Sequence, residues 1–359
     1  MKSLVAALVG NRLNLLLVAA PASWVIHAAA PGSPWEFVAA ALSLVPLAGI
    51  IGLGTEDLSC RSGPGIGGFL NATFGNAAEL IIAVVALHDG HIALVKASIT
   101  GSIVGNLLLV LGLSFFVGGI GRRSQQFNRT AATNTAAMLF LAVVALVMPA
   151  ILDLSLYGTL GVQTTAINRL SLGSAVVLIA AYVGSLIYAF RAHTDLFRSE
   201  NTSHHPTLTF PEAMGLLAVG TILTTIQAEF LVGSLEPALG QLGLTELFVG
   251  VIVIAIIGNA AEHYSAVVAA RRDQMTLAVE ISVGSSAQIA LFVAPAVVLY
   301  SFVIGHPMSL LFNPFEIAAI ALSVVATSLV VVDGESNWVE GLQLISVYLI
   351  LALAFYFVP

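Results

Sequence analysis

The sequence predicts an all-α integral membrane protein of about eleven transmembrane helices, arranged as one extra N-terminal helix plus two inverted-topology repeats of five helices each. Three observations predict it. Of 359 residues, 58% are apolar and only 9% charged, whereas about a quarter of the residues of a soluble domain are charged. Apolar runs of the roughly 20 residues needed to cross a bilayer follow one another from end to end. A short motif holding an acid inside an apolar run occurs once in each half.

Breaking the chain at Gly, Pro and charge clusters gives spans at 12–30, 36–59, 66–88, 92–119, 130–150, 170–191, 207–232, 245–270, 275–304, 311–332 and 337–357. The first 24 residues have features of a signal peptide, with Lys2 and Arg12 before an apolar run and Ala19-Ala20-Pro21-Ala22-Ser23 after it. A retained first span is preferred because it orients the remaining loops consistently. With the N-terminus inside, Lys2, Arg12, Arg61, Arg122, Arg123, Arg129, Arg191, Arg198, Arg271 and Arg272 fall on the cytoplasmic side. Only Lys96 and Arg169 fall outside, which by the positive-inside bias puts the C-terminus outside as well. The organisation expected is an N-terminal helix in 1–35, repeat half 1 in 36–191, a cytoplasmic linker in 192–206 and repeat half 2 in 207–359. His204 and His205 sit in the longest polar interruption and read as a solvated loop. The single Cys60 forbids an internal disulfide. A net charge of −7 with no basic stripe argues against nucleic acid as a partner.

Gly75-Asn76-Ala77-Ala78-Glu79 recurs as Gly258-Asn259-Ala260-Ala261-Glu262, 183 positions later. The register holds without a gap through Gly101-Ser102 and Gly284-Ser285, with 12 identities in 28 positions. Alanine and valine match cheaply in any membrane protein, but Gly-Asn and an intramembrane Glu do not. The copies lie on the third and eighth spans, five crossings apart, so the second is upside down relative to the first. Halves related in this way are expected to meet near the midplane at interrupted helices.

Asn76 and Glu79 are three apart, as are Asn259 and Glu262, so each pair shares one helical face beside its glycine. A carboxylate at the centre of a span costs about 2.5–3.5 kcal/mol on insertion scales, so two of them imply a function. Hard divalent cations such as Ca²⁺ take six to eight oxygens from carboxylates, amides, carbonyls and water. Interruptions at Gly75 and Gly258 would add backbone carbonyls to Glu79, Glu262, Asn76 and Asn259 as metal ligands. Two ionised glutamates plus one Ca²⁺ sum to zero charge, as do two protonated glutamates. Only these neutral forms isomerise readily in low dielectric, so Glu79 and Glu262 also couple protons: metal and protons displace each other.

Glu56 and Glu229 lie at corresponding ends of the second and seventh spans, where they either guide ions or protons into opposite vestibules or stand as ordinary helix-end acids. Gly101, Ser102, Gly105 and Asn106, with Gly284, Ser285, Ser286 and Gln288, read first as close-packing and interhelical hydrogen-bonding positions. The repeat register raises Ser102 and Ser285 above the others as supporting groups. His263 reads as a satisfied interior histidine or a proton relay, and Glu280 as a snorkelling or salt-bridged acid near the cytoplasmic end of its span. Gly63, Gly65 and Gly68 spell G-x-G-x-x-G, but no strand precedes them, and Glu262-His263 lacks the spacing of a zinc protease.

At these residues the sequence resembles the Ca²⁺/H⁺ antiporter (cation/proton exchanger, CAX) family of the Ca²⁺/cation antiporter superfamily. The resemblance is carried by Gly67-Gly68-Phe69-Leu70-Asn71-Ala72-Thr73-Phe74 running into Gly75-Asn76-Ala77-Ala78-Glu79-Leu80-Ile81, and by Gly258-Asn259-Ala260-Ala261-Glu262-His263. Gly284-Ser285-Ser286-Ala287-Gln288-Ile289-Ala290-Leu291-Phe292 is similar to the family's next motif. It covers the chain from Glu56 through the last span. It implies eleven helices, a metal site at Glu79 and Glu262, and Ca²⁺ export driven by inward protons. Ala78 and Ala261 stand where the Na⁺/Ca²⁺ exchanger branch carries proline, which favours proton coupling. Members differ in taking Ca²⁺, Mn²⁺, Na⁺ or K⁺. The expected partners are the lipid bilayer, Ca²⁺ and H⁺, with no cofactor, and self-association as a homo-oligomer is left open. No long regulatory segment precedes the first span, so a prokaryotic plasma (inner) membrane is the expected location. A cation channel is the competing class, against which the long inverted repeat argues, and no recognisable nucleophile and base support an enzyme.

Overall fold

The computed structural model describes residues 11–62, 67, 70–71, 73–159, 164–192 and 207–358. Lys2, Gly63, Gly65, Gly68, Phe69, Ala72, Arg198, His204, His205 and the linker 193–206 lie outside the described residues.

Among the described residues, eight helices are long and apolar enough to cross a bilayer unaided. They are α1 (Arg12–Ala29), α2 (Pro34–Arg61), α4 (Ile92–Gly119), α5 (Arg129–Tyr157), α6 (Thr165–Ala192), α7 (Phe210–Gly233), α11 (Met275–Val303) and α13 (Trp338–Phe357). The three remaining expected spans are less regular. The third is helical at 70–71 and 73–74, turns at Gly75-Asn76, and resumes as α3 (Ala77–His88). The eighth is α9 (Glu246–Gly258), broken at Asn259 and continued as α10 (Ala260–Arg271). The tenth is α12 (Pro314–Val330), of 17 residues.

Local signals explain the limits. Asn313 with Glu316, and Asn337 with Glu340, form capping boxes that start α12 and α13. Two ends differ from expectation. The fifth span does not stop near Pro149 but continues to Tyr157, where Gly158 adopts φ 68° and its N–H bonds Leu154 O at 2.9 Å. The sixth starts at Thr165 rather than 170, with Thr164 O accepting from Asn168 N–H at 2.9 Å. A helix absent from the sequence reading, α8 (Leu235–Leu242), precedes α9 and is bent 110° from it, with Leu235 and Ala238 buried.

Connections alternate between two faces. At face A, the loop after α4 meets those after α10 and α12. Gln125 Nε2 donates to Asp273 Oδ1 at 2.6 Å, and Arg122 Nη2 to Arg271 O at 3.2 Å. Gln125–Gln126 (β1) pairs antiparallel with Glu335–Ser336 (β2), Gln125 opposite Ser336. The α2 end joins the α7 start at that face too, where Asp57 accepts from Leu208 N–H at 2.6 Å and Arg61 donates to Leu208 O. At face B, His91 Nδ1 lies 3.2 Å from Glu246 Oε1, and His88 Nε2 lies 2.7 Å from Tyr300 Oη. Lys96, buried just inside α4, donates to Leu311 O at 2.7 Å and shares its surroundings with buried Glu316. Every described arginine outside α6 stands at face A, whereas Lys96 and Arg169 stand at the B end, as the charge count anticipates.

Helix α1 rests on the pair α2–α7. Ser23 Oγ donates to Gln227 Oε1 at 2.7 Å, and His27 stacks on Phe230 with ring centroids 4.2 Å apart. Helices α2 and α7 approach closely: a Cβ on Gly54 would lie 2.9 Å from Ala213 O. Two further tight crossings involve α4: on α9, where a Cβ on Gly101 would overlap the Val251 backbone and one on Gly250 would overlap Ala97 Cβ, and on α13, where a Cβ on Gly341 would overlap the Phe116 and Gly112 backbone.

Candidate cation site

Each copy of the motif ends one helical segment and begins another. Asn76 (φ −103°, ψ 24°) and Asn259 (φ −96°, ψ 7°) sit in nearly the same non-helical conformation, in the sparsely used bridge region between helix and strand. The glutamates therefore occupy the first turns of two half-helices, α3 running toward face B and α10 toward face A. Two helix N-termini thus point into the middle of the molecule from opposite sides, each carrying its acid at the positive end of its dipole.

The halves exchange partners here. Asn259 Nδ2 donates to Ser102 Oγ at 2.9 Å, and Asn106 Nδ2 donates to Asn259 Oδ1 at 3.2 Å. In the opposite sense, Asn76 Nδ2 donates to Gln288 Oε1 at 2.6 Å, and Ser285 Oγ lies 3.5 Å from Asn76 Oδ1. Asn76 and Asn259 match by the repeat, as do Ser102 and Ser285, so each motif asparagine engages the serine of the other half. Both asparagines and Asn106 are buried to within 1%. These bonds satisfy the two motif amides in a low-dielectric interior, while Asn106 Oδ1 stays buried with no hydrogen-bond partner among the described residues.

Both acids are half-buried. Glu262 Oε2 accepts from Ser285 Oγ at 2.6 Å. Glu79 packs on the other half's glycine: a Cβ on Gly258 would lie 3.7 Å from Glu79 Oε1, so an alanine there would sit in contact with the carboxylate. Glu79, Ser98, Ser102 and Gly258 line a small cavity of about 10 Å³, walled by Ile254 and Ile289. That is the space of about one water molecule. Its remaining lining residues, Ile82, Ile99 and Val293, all lie on the face B side of the motif. Among the described residues no three His, Cys, Asp or Glu side chains converge on a metal position. A cation held by the two carboxylates would need neutral oxygens as well, and the neutral oxygens beside the motif are the amides of Asn76 and Asn259 and the hydroxyls of Ser102 and Ser285.

The helices around the site are unusually wound. π-Helical turns occur at Gly105–Val110 in α4, Val249–Ile254 in α9, and Glu280–Gly284 and Ile289–Val293 in α11. Such wide turns cluster at functional sites because they shift side-chain registration and loosen carbonyls.

Ser102, Ser285 and Gln288 are thus brought to the motif asparagines. His263, half-buried on α10, has no hydrogen bond to these groups, and Glu56 and Glu229 are exposed near opposite ends of α2 and α7, away from the cavity. Asn106 is a direct partner of Asn259, one specific case of the packing and interhelical hydrogen bonding expected of its group of residues, and Ser98 was not singled out at all.

The profile of the sodium/calcium exchanger protein family matches residues 32–191 and 212–357. The chain belongs to that family. Among its curated relatives in the exchanger family are a Ca²⁺/H⁺ antiporter of Synechocystis sp., 44% identical over 96% of this chain and 97% of its own, and the Ca²⁺/H⁺ antiporter ChaA of Bacillus subtilis, 40% identical over 96% and 99%. Both carry the name of the branch that the two glutamate motifs resemble. The native structure of the exchanger YfkE superposes with a TM-score of 0.83 at 38% identity, covering 96% of this chain and all of that one. A second exchanger structure, of the H⁺/Ca²⁺ exchanger CAX, is 14% identical with a TM-score of 0.69 over 96% of this chain and 91% of its own, and shares the fold.

Proposed function

We propose that this exchanger exports Ca²⁺ in return for H⁺ at a site shared by Glu79 and Glu262. The observation that carries the reading is the meeting of two half-helix N-termini of opposite direction, each bearing a glutamate and each tied to the other half's serine. Full-length likeness to proteins named Ca²⁺/H⁺ antiporters supports the choice of ions.

The chemistry follows from charge. Ca²⁺ held by two carboxylates is neutral, and so is the pair carrying two protons. An empty ionised pair leaves two like charges in low dielectric and resists rearrangement. Amide oxygens of Asn76 and Asn259 and carbonyls near Gly75 and Gly258 complete the oxygen shell around the metal. Metal arriving from one side expels protons; protons arriving from the other expel metal. The repeats, related by inversion, offer the same two-state rearrangement to both faces. The arginine excess at face A supports reading it as the cytoplasmic side of a prokaryotic inner membrane, N-terminus inside and C-terminus outside.

The test is proton movement in proteoliposomes. Acid-loaded vesicles should take up Ca²⁺ and lose internal acid together, with both stopping once the gradient is collapsed. A Ca²⁺ flux indifferent to the gradient would mean a channel. Proton release on addition of Na⁺, K⁺ or Mn²⁺ but not Ca²⁺ would reassign the ion.

Glu56 and Glu229 are assigned to the two vestibules. Glu56→Gln should raise half-saturating Ca²⁺ at face A by about threefold at low salt, and Glu229→Gln should shift proton dependence at face B, both effects fading as salt screens them. Unchanged apparent affinities in both variants would leave these residues as ordinary helix-end acids.

A further inference from the structure

Glu280 is an acid that the two-glutamate site leaves unused. It is half-buried on α11, and its Oε1 is buried with no hydrogen-bond partner among the described residues. Snorkelling, the simple expectation for an acid near a helix end, would have left that oxygen in water, and no ion pair reaches it among the described residues. A carboxyl oxygen stranded in this way is costly, so its retention points to use.

Its position suggests the use. Helix α11 enters from face A at Met275, so Glu280 stands between that face and Ser285. The stretch Glu280–Gly284 is a π-helical turn. In a turn bonded from i to i+5 the helix is wider, so Glu280 and Ser285 come to neighbouring sides of α11, at most about 7.5 Å apart along the axis at the α-helical rise of 1.5 Å per residue. Ser285 Oγ in turn contacts Glu262 Oε2 at 2.6 Å. Along α11, Glu280 thus lies between face A and the Ser285–Glu262 contact, while the cavity beside Glu79 extends toward face B. Glu280 has no mate in the first half, where Ala97 occupies the position that matches it.

The turn beginning at Glu280 packs on α10, which carries Glu262, His263 and Arg271, and on α5, which carries Arg129 and Asp153 near its two ends. It also packs on the Gly105–Val110 turn of α4, which is uncharged.

We propose that Glu280 is a proton relay joining Glu262 to face A through Ser285. The inference rests on the two-glutamate antiport reading and adds the route by which protons leave. Protonated Glu262 passes its proton to Ser285 Oγ, which releases its own hydroxyl proton, directly or through one water, to the Glu280 carboxylate. One O–H bond forms for each that breaks, and the negative charge moves from Glu280 to Glu262, where the metal needs it. Glu280 then releases its proton to water at face A. The group acts through Glu262 and does not touch the metal.

Two assays on the reconstituted full chain test this. One is Ca²⁺ uptake driven by a pH gradient; the other is ⁴⁵Ca²⁺/Ca²⁺ exchange at equal pH, which moves no net protons. Glu280→Gln keeps the shape and removes the titration. It should slow proton-driven uptake by about tenfold or more, leaving Ca²⁺/Ca²⁺ exchange within about twofold of the parent. Glu280→Asp should restore part of the loss. Parental rates in both assays, or equal loss in both, would overturn the relay. If Glu280→Gln does not fold, Glu280→Asp decides: a proton-driven rate that tracks its Ca²⁺/Ca²⁺ rate at every pH defeats the proposal. Glu262→Gln separates the two readings, since exchange retained in that variant defeats the two-glutamate site whatever Glu280→Gln does.

Discussion

Replacing either Glu79 or Glu262 with glutamine is expected to lower Ca²⁺/H⁺ exchange by at least about a hundredfold. Glutamine preserves size, and the contact of residue 79 with Gly258 survives, so the protein should fold and elute as the parent does. What changes is charge. With one carboxylate gone, bound Ca²⁺ leaves the site with a net positive charge in a low-dielectric interior. Breaking a buried charge pair costs about 3–5 kcal/mol. At 1.4 kcal/mol per factor of ten, that is about two to three and a half orders of magnitude in occupancy of the neutral, mobile state. Ca²⁺ titration and proton release in proteoliposomes measure the effect. Near-parental exchange in either variant would remove the shared site.

The second large effect is on assembly. Gly101→Val should destabilise the protein by at least about 3 kcal/mol, because a branched side chain there would drive into the backbone of Val251 with no flexible neighbour to yield. Thermal unfolding in detergent and loss of a monodisperse peak would report it. Gly284 matches Gly101 by the repeat, but a methyl group added there would meet nothing within 4 Å, so Gly284→Ala should be tolerated. A Gly101→Val protein as stable as the parent would show that α4 and α9 do not touch backbone to backbone.

The contrast between these two glycines marks what a sequence conveys about this fold. Composition and apolar run length revealed the spans, and the spacing of the Gly-Asn-Ala-Ala-Glu copies revealed inversion, because both depend on order along the chain alone. Pro149 misled the reading of the fifth span, since a proline within a long apolar helix need not end it. Helix α8 escaped because its eight residues carry no span-length signal. The partnership of Asn259 with Ser102 and Asn106 depends on how α4 is rotated against the second half. The π-helical turns in α4, α9 and α11 leave no period in the sequence either. Glu280 illustrates the same limit: near a helix end by count, it is turned inward by the turn it begins.

The pairing of β1 with β2 has a consequence for synthesis. Gln125 meets Ser336, and Ser336 Oγ donates to Gln125 O, across a separation of 211 residues; Asn76 meets Gln288 across 212. At about 5–20 residues per second, the ribosome delivers those partners roughly 10–40 seconds after their mates have entered the membrane. During that interval the first half resides in lipid with its central amide and acid uncovered. Ribosomes stalled between α6 and α7 would therefore yield a fragment marked for proteolysis, and the dwell time of translation there sets how much of it a cell must clear.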